Sequence, residues 1–307
     1  MLDIHFRDDI LGAVTSDGCI SFCRLSAPAS IGHPQLEGLE TYRCFSPETL
    51  VLSFAWHPTI PNVIGVTLST GEVKLCKLSY DGPAAVPSIN HGASDTIVEI
   101  HSHDLEAWTL AFQPPGDGVL SGGDDATLKY SGVPALEDSL KGEQSWLSDS
   151  FDSGEAALQW QNKKIHGAGV TAILPLSEDV VVTGSYDDHI RVLSLPKAGK
   201  KDVLAEMDLG GGVWRLTIVE RQPCGLDQGS YLKFILLASC MHAGARVVQI
   251  ARTESDTWDI EVLARFEEHK SMNYGSDVRP SEKGLDDGRL FVSTSFYDKL
   301  VCVWRYG

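Results

Sequence analysis

Short apolar runs separated by glycine- and aspartate-bearing turns recur along this chain. The clearest case is Val180 to Leu195, VVVTGSYDDHIRVLSL. A run led by Val180, Val181 and Val182 passes Gly184-Ser185 and the acidic turn Asp187-Asp188 into a second run holding Ile190, Val192 and Leu193. Apolar runs of this length bounded by turn residues read as strand, tight turn, strand. Variants are VTSDGCISFCRL, VTLSTGEVKLCKL, SGGDDATLKYSG, ASCMHAGARVVQI and TSFYDKLVCVW. Self-similarity at this spacing means a repeat architecture.

Six units superpose, each with an inner strand, a second strand, a turn and a third strand. The inner strands are expected to begin near Met1, Val51, Ala107, Val170, Val213 and Asn273. The turns fall at Asp17-Gly18, Thr70-Gly71, Asp125-Ala126, Asp187-Asp188, His242-Ala243 and Asp298-Lys299, where Gly or Asp supplies hairpin geometry. Between the units, Ser26 to Glu48 and Asp81 to Ser102 read as long connections. Val133 to Lys164, with Trp146 and Trp160, must hold part of an outer strand, and a further outer strand is expected at Trp258 to Phe266. Arg279 to Gly288 reads as a polar loop. Evenly spaced short strands with turn signals predict an all-β chain, a β-propeller forming one domain over residues 1–307.

A histidine stands four residues before three inner strands, at His103, His166 and His269, and the chain closes on Trp304. Histidine, three residues, a hydrophobic strand, a Ser-x-Asp-like turn and a final Trp resemble the grammar of the WD-repeat family. That family most often has seven blades. Either the ring is six-bladed, or, against the family's usual count, an N-terminal blade is expected to be missing here, wholly or in part.

Composition narrows the class. A chain of 307 residues is long enough for one large all-β core, and its net charge of -17 argues against nucleic acid as the main partner. No apolar run approaches the roughly 20 residues needed to span a bilayer. The start, MLDIHFRDDILG, lacks the basic region and apolar core of a signal peptide. The seven cysteines, an odd number set mostly in apolar patterns (Cys23, Cys76, Cys302), read as reduced core residues of a cytoplasmic protein. No CxxC pair is present, and no metal site is expected.

Superposing the units gives the sharpest chemical clue. The second residue of each inner strand reads Leu2, Leu52, Trp108, Thr171, Trp214 and Tyr274. Three aromatics at one equivalent position are either core fillers or an aromatic rim able to hold a cation by its ring faces. Glu106 and Arg215 lie beside two of them. A second clue is His242, which takes the place of the turn Asp of other units (Asp17, Asp125, Asp187, Asp298). The turn Asp residues are expected to bind backbone amides, and the repeat histidines are expected to be structural. His242 is either structural too or a general base or acid. Cys240 reads as a buried strand residue rather than a nucleophile. There is no GxSxG elbow, HExxH or GxxxxGK[ST] loop. From the residues alone the default is a non-catalytic binding platform.

Several strings are more specific than the repeat: HDLEAW followed by SGGDD, then TGSYDDHI, GGGVWRL, LLASCMHAG, YGSD and TSFYD. In this order they resemble the WD-repeat diphthine methylesterase family of eukaryotic diphthamide biosynthesis. The resemblance implies hydrolysis of the methyl ester of methylated diphthine on elongation factor 2, giving diphthine and methanol before the final amidation. It implies no metal or organic cofactor, supplies no catalytic nucleophile, and implies a further N-terminal blade. On that reading Trp108, Trp214 and Tyr274 cage the trimethylammonium group, with Glu106 or Asp277 adding charge attraction. His242 then serves as base, and Arg215 contacts the carboxylate or oxyanion. The competing reading is a WD-repeat scaffold or methylated-cation reader without chemistry.

Overall fold

The computed structural model describes residues 2–26, 33–80, 86–89, 96–133, 158–224, 231–279 and 288–307. Two compact units, residues 1–164 and 165–307, hold three antiparallel sheets each. In the first unit the first sheet is β1 (Asp3–Arg7), β2 (Ile10–Val14), β3 (Cys19–Ser26) and β4 (Gln35–Arg43). The second is β5 (Val51–Trp56), β6 (Val63–Leu68), β7 (Glu72–Lys77) and β8 (Ile97–Ser102). The third is β9 (Ala107–Gln113), β10 (Gly118–Gly123), β11 (Leu128–Gly132) and β12 (Leu158–Asn162).

In the second unit the fourth sheet is β13 (Val170–Pro175), β14 (Val180–Ser185), β15 (His189–Ser194) and β16 (Asp202–Asp208). The fifth is β17 (Arg215–Cys224), β18 (Tyr231–Ser239), β19 (Ala245–Arg252) and β20 (Trp258–Phe266). The sixth has three strands, β21 (Asn273–Val278), β22 (Arg289–Ser295) and β23 (Leu300–Tyr306). The six sheets are the blades of a β-propeller. Among the described residues all regular structure is strand, and no helix is long and apolar enough to cross a membrane.

Within each unit the core lies between successive sheets. Phe22, Phe54 and Ile64 fill the space between the first two, and Val73, Phe112 and Val119 between the second and third. Ile190, Val192, Leu236 and Val248 join the fourth and fifth, and Leu237, Val247 and Phe291 the fifth and sixth. Burying a side chain of this size contributes roughly 1.5–3 kcal/mol. Strands buried on both faces show continuous apolar runs rather than alternation, which is why the second strands stand out in the sequence.

The hairpins form where the turn residues placed them, and Trp258–Phe266 is an outer strand as expected. Gly71, at φ 96°, could not be replaced cheaply, because an added Cβ would meet the His103 carbonyl oxygen at 2.4 Å. The first and fifth inner strands begin at Asp3 and Arg215, within two residues of the expected starts. One expectation is corrected: the stretches read as connections contain outer strands β4 and β8. Trp146 and most of the loop read from Arg279 to Gly288 lie outside the described residues.

The second residue of the inner strand is a β-bulge. In four sheets the ladder skips it: Val51 and Ser53 pair while Leu52 does not, and Trp108, Thr171 and Tyr274 are skipped likewise. In the other two sheets Leu2 and Trp214 stand just ahead of the strand, their N–H groups donating to the Val14 and Ser239 carbonyls at 2.8 Å. A bulge frees one side chain from the in-out alternation of the ladder and re-aims it.

The sixth sheet differs from the rest. Middle strands β2, β6 and β10 are buried at every residue and β14 at all but its first, whereas β22 alternates, with Phe291, Ser293 and Ser295 buried and Val292 and Thr294 exposed. On β23, Val301 and Val303 are each 65% exposed.

Candidate functional site

The repeat histidines and turn aspartates hold the sheets together. His103 Nδ1 meets Asp125 Oδ1 at 3.0 Å and its Nε2 meets Ser121 Oγ at 2.7 Å. His101 extends the chain, with Nε2 2.6 Å from Ser121 Oγ and Nδ1 2.7 Å from Ser131 Oγ. Burial, then the neighbouring charges of His103 and Lys129, pushes His101 down to about 3. Burial opposes ionisation of Asp125, but His103 and the amides of Asp104 and Thr127 outweigh it and hold the carboxyl below the usual range. His166 bonds Thr183 Oγ1 at 2.9 Å and His269 bonds Ser293 Oγ at 2.8 Å, where the Trp304 indole also donates. These groups are buried and hydrogen-bonded, which fits a structural role, although the Nδ1 atoms of His166 and His269 are buried without a hydrogen-bond partner among the described residues.

His242 departs from that pattern. The residue after the turn Asp has positive φ in the other sheets: Gly18, Ala126, Asp188 and Lys299. In the fifth sheet positive φ falls instead at Met241 (45°) and Gly244 (77°). The turn is closed by backbone alone, Ala243 N–H donating to Cys240 O at 2.8 Å and Gly244 N–H to Met241 O at 3.2 Å. The His242 side chain is exposed and takes no hydrogen bond among the described residues. Cys240 is fully buried, and burial pushes its thiol up to about 12, which removes it as a nucleophile. Cys19, Cys23, Cys44, Cys76, Cys240 and Cys302 are unpaired.

Around this turn the second unit gathers aromatic rings. Trp214 and Tyr274 lie 5.0 Å apart between centroids at 59°, and Tyr186 is 5.8 Å from Trp214. Phe296 lies 6.1 Å from Tyr274 and Tyr297 5.1 Å from Phe296, with these last two 67% and 70% exposed. Gly212 permits the approach: an added Cβ would meet Met241 Sδ at 2.6 Å and Tyr186 Cα at 3.4 Å. The Asn273 N–H donates to the Met241 carbonyl at 2.9 Å, tying the His242 turn to the strand that carries Tyr274. Trp214 and Arg215 both engage the Ser239 backbone. Burial pushes the Tyr274 phenol up, so it stays neutral. An open set of ring faces is what a quaternary ammonium group binds.

Of the predicted site residues, Trp214 and Tyr274 are in ring contact, while His242 and Arg215 are joined to them through backbone ties. Asp277 is exposed on β21, its Oδ1 accepting from Val278 N–H at 2.8 Å. Trp108 and Glu106 belong to the first unit, where the Trp108 indole donates to Asp124 Oδ1 at 3.0 Å and the Asp124 N–H donates to the Glu106 carbonyl at 2.8 Å. Sequence reasoning missed Tyr186, Met241 and Tyr297. The signal was present: each immediately precedes the turn position held by Asp187, His242 or Asp298. Among the described residues no cluster of three or more His, Cys, Asp or Glu is placed to hold a metal.

No family model matches the chain. The solved structure of Sqt1 from Chaetomium thermophilum covers 98% of this chain and 66% of its own at a TM-score of 0.60 and 16% identity, a likeness of fold alone. Two relatives are closer in sequence. Diphthine methyltransferase of Saccharomyces cerevisiae is 30% identical over 75% of this chain and 56% of its own length. Diphthine methyltransferase of Schizosaccharomyces pombe is 30% identical over 294 residues, 83% of this chain and 78% of its own. On identity and coverage together, the chain belongs to the diphthine methyltransferase family.

Proposed function

We propose that this chain hydrolyses the methyl ester of methylated diphthine on elongation factor 2, giving diphthine and methanol ahead of the final amidation of diphthamide synthesis. The Trp214–Tyr274 ring pair beside the His242 turn carries the reading, because diphthine bears a trimethylammonium group and such a contact contributes roughly 1–2 kcal/mol when desolvated. A net charge of -17 favours docking on a basic face of the substrate protein.

In this mechanism water loses a proton to the His242 imidazole as its oxygen bonds to the ester carbonyl carbon. Arg215 faces the developing oxyanion. The tetrahedral species then expels methoxide, which takes the proton back from the imidazolium. Water and methyl ester thus become carboxylic acid and methanol. The second reading, a reader that grips the same methylated cation without turnover, rests on the same rings.

The test is incubation of methylated substrate in 18O-labelled water. Hydrolysis releases methanol and leaves one label in the product carboxyl group; label in the methanol would instead mean attack on the methyl carbon. His242→Ala is expected to slow release about a hundredfold or more with substrate binding retained. Full turnover in that variant would remove His242 from the mechanism, and binding without any release by the unaltered chain would favour the reader.

A further inference from the structure

The inner strand of the sixth sheet carries polar residues where every other unit is apolar. Its first position, filled by Met1, Val51, Ala107, Val170 and Val213 elsewhere, is Asn273. The position two past the bulge residue, filled by Ile4, Phe54, Leu110, Ile173 and Leu216 elsewhere, is Ser276. Asn273 is fully buried, and so is Ser239 of the neighbouring sheet, at 1% exposure.

These three side chains form one directional hydrogen-bonded series. Ser239 Oγ donates to Ser276 Oγ at 3.0 Å, and Ser276 Oγ donates to Asn273 Oδ1 at 3.1 Å. Asn273 Nδ2 then donates to the Gly275 carbonyl at 3.1 Å and the Thr294 carbonyl at 2.7 Å. Gly275 and Thr294 are the paired residues that close the bulge around Tyr274. The Ser239 carbonyl, at the other end, accepts the Trp214 N–H at 2.8 Å. The series thus runs from the backbone that seats Trp214 to the backbone that seats Tyr274.

Folding alone gives no reason for it. Four other sheets bury Val or Ala at the first position, and three of them hold the same bulge. Replacing a satisfied buried polar set by apolar groups of like shape is often neutral or stabilising. What the series adds is a fixed relation between two ring-bearing backbones on adjacent sheets, and ring faces hold a cation only at a defined separation and tilt.

We infer that Asn273 and Ser276 are positioning residues that set the Trp214–Tyr274 ring pair for a quaternary ammonium group, an inference that rests on the ring pair being the cation site of the proposed function. The experiment restores what the other sheets carry, Asn273→Val, alongside Ser276→Ala and the conservative Ser276→Thr. Thermal unfolding and near-ultraviolet circular dichroism are measured without substrate. Hydrolysis is then followed on the trimethylammonium ester and on its uncharged tert-butyl analogue.

Asn273→Val takes the Asn273 partner from the Ser276 hydroxyl and from the Gly275 and Thr294 carbonyls, so it is expected to lower the unfolding midpoint by a few degrees, with an altered aromatic band. It should raise KM for the cationic ester about tenfold, with kcat and the KM of the uncharged analogue unchanged. Ser276→Ala should follow it, and Ser276→Thr should restore KM. An unchanged band with unchanged KM overturns the inference, and so does an equal rise in KM for both esters. If the unaltered chain hydrolyses neither ester while Asn273→Val alters the aromatic band, the proposed function fails and the positioning role stands.

Discussion

The turns at Asp187 and His242 occupy the same place in successive sheets and are built on different bonds. Asp187 accepts from the Gly167 N–H at 2.7 Å, the His189 N–H at 3.2 Å and the Arg191 guanidinium at 2.9 Å. Burial opposes ionisation there, but these donors prevail and hold the carboxyl down to about 2. The His242 turn draws on none of this. Its backbone closes itself, and Arg246 caps the Ala243 carbonyl at 2.7 Å. A turn that stands without its central side chain leaves that side chain available for chemistry, whereas a turn that needs a carboxylate cannot give it up.

The comparison breaks most sharply where the carboxylate is buried deepest. Asp125→Ala leaves the His103 imidazole without its partner beneath the third sheet, and is expected to cost about 3 kcal/mol. Denaturant unfolding would measure it, and a loss below about 1 kcal/mol would mean that the turn Asp is dispensable there too. Acid comes next. Burial holds His101 and His166 neutral, lowering them from 6.5 to about 3 and about 4. The unfolded chain takes up those protons near 6.5, so stability is full above that pH and falls as pH drops toward 4, with a slope approaching two protons. A pH series of unfolding midpoints reads the slope, and a flat series from 6.5 to 5 would contradict the neutral assignment. The smallest effect is expected for His242→Asp. If residue type alone separated the two turns, this change would stabilise the fifth sheet. Because positive φ sits at Met241 and Gly244, stability should move by no more than about 0.5 kcal/mol while hydrolysis is lost.

Much of this was legible in the sequence, for identifiable reasons. Val181, Val182 and Val192 are buried on both faces of their sheet, so the runs that contain them announce strands. The aromatic register was legible because the bulge recurs at a fixed distance from each apolar start. Outer strand β4 was not legible, since eight of its nine residues are exposed and its glutamates and Gly38 give no periodic apolar signal. Asn273 and Ser276 were passed over because polar residues in a strand read as its solvent face, and only the hydrogen bonds to Ser239 and Thr294 show them spanning two sheets.

The bulge has a bearing on how such a chain changes over generations. A residue outside the ladder can be exchanged without shifting the register of any strand. Leu52, Thr171, Trp108 and Tyr274 all occupy it without a change in the ladder on either side. New recognition chemistry can therefore be tried at the four bulged places, one mutation at a time, while the strand register that presents it stays the same.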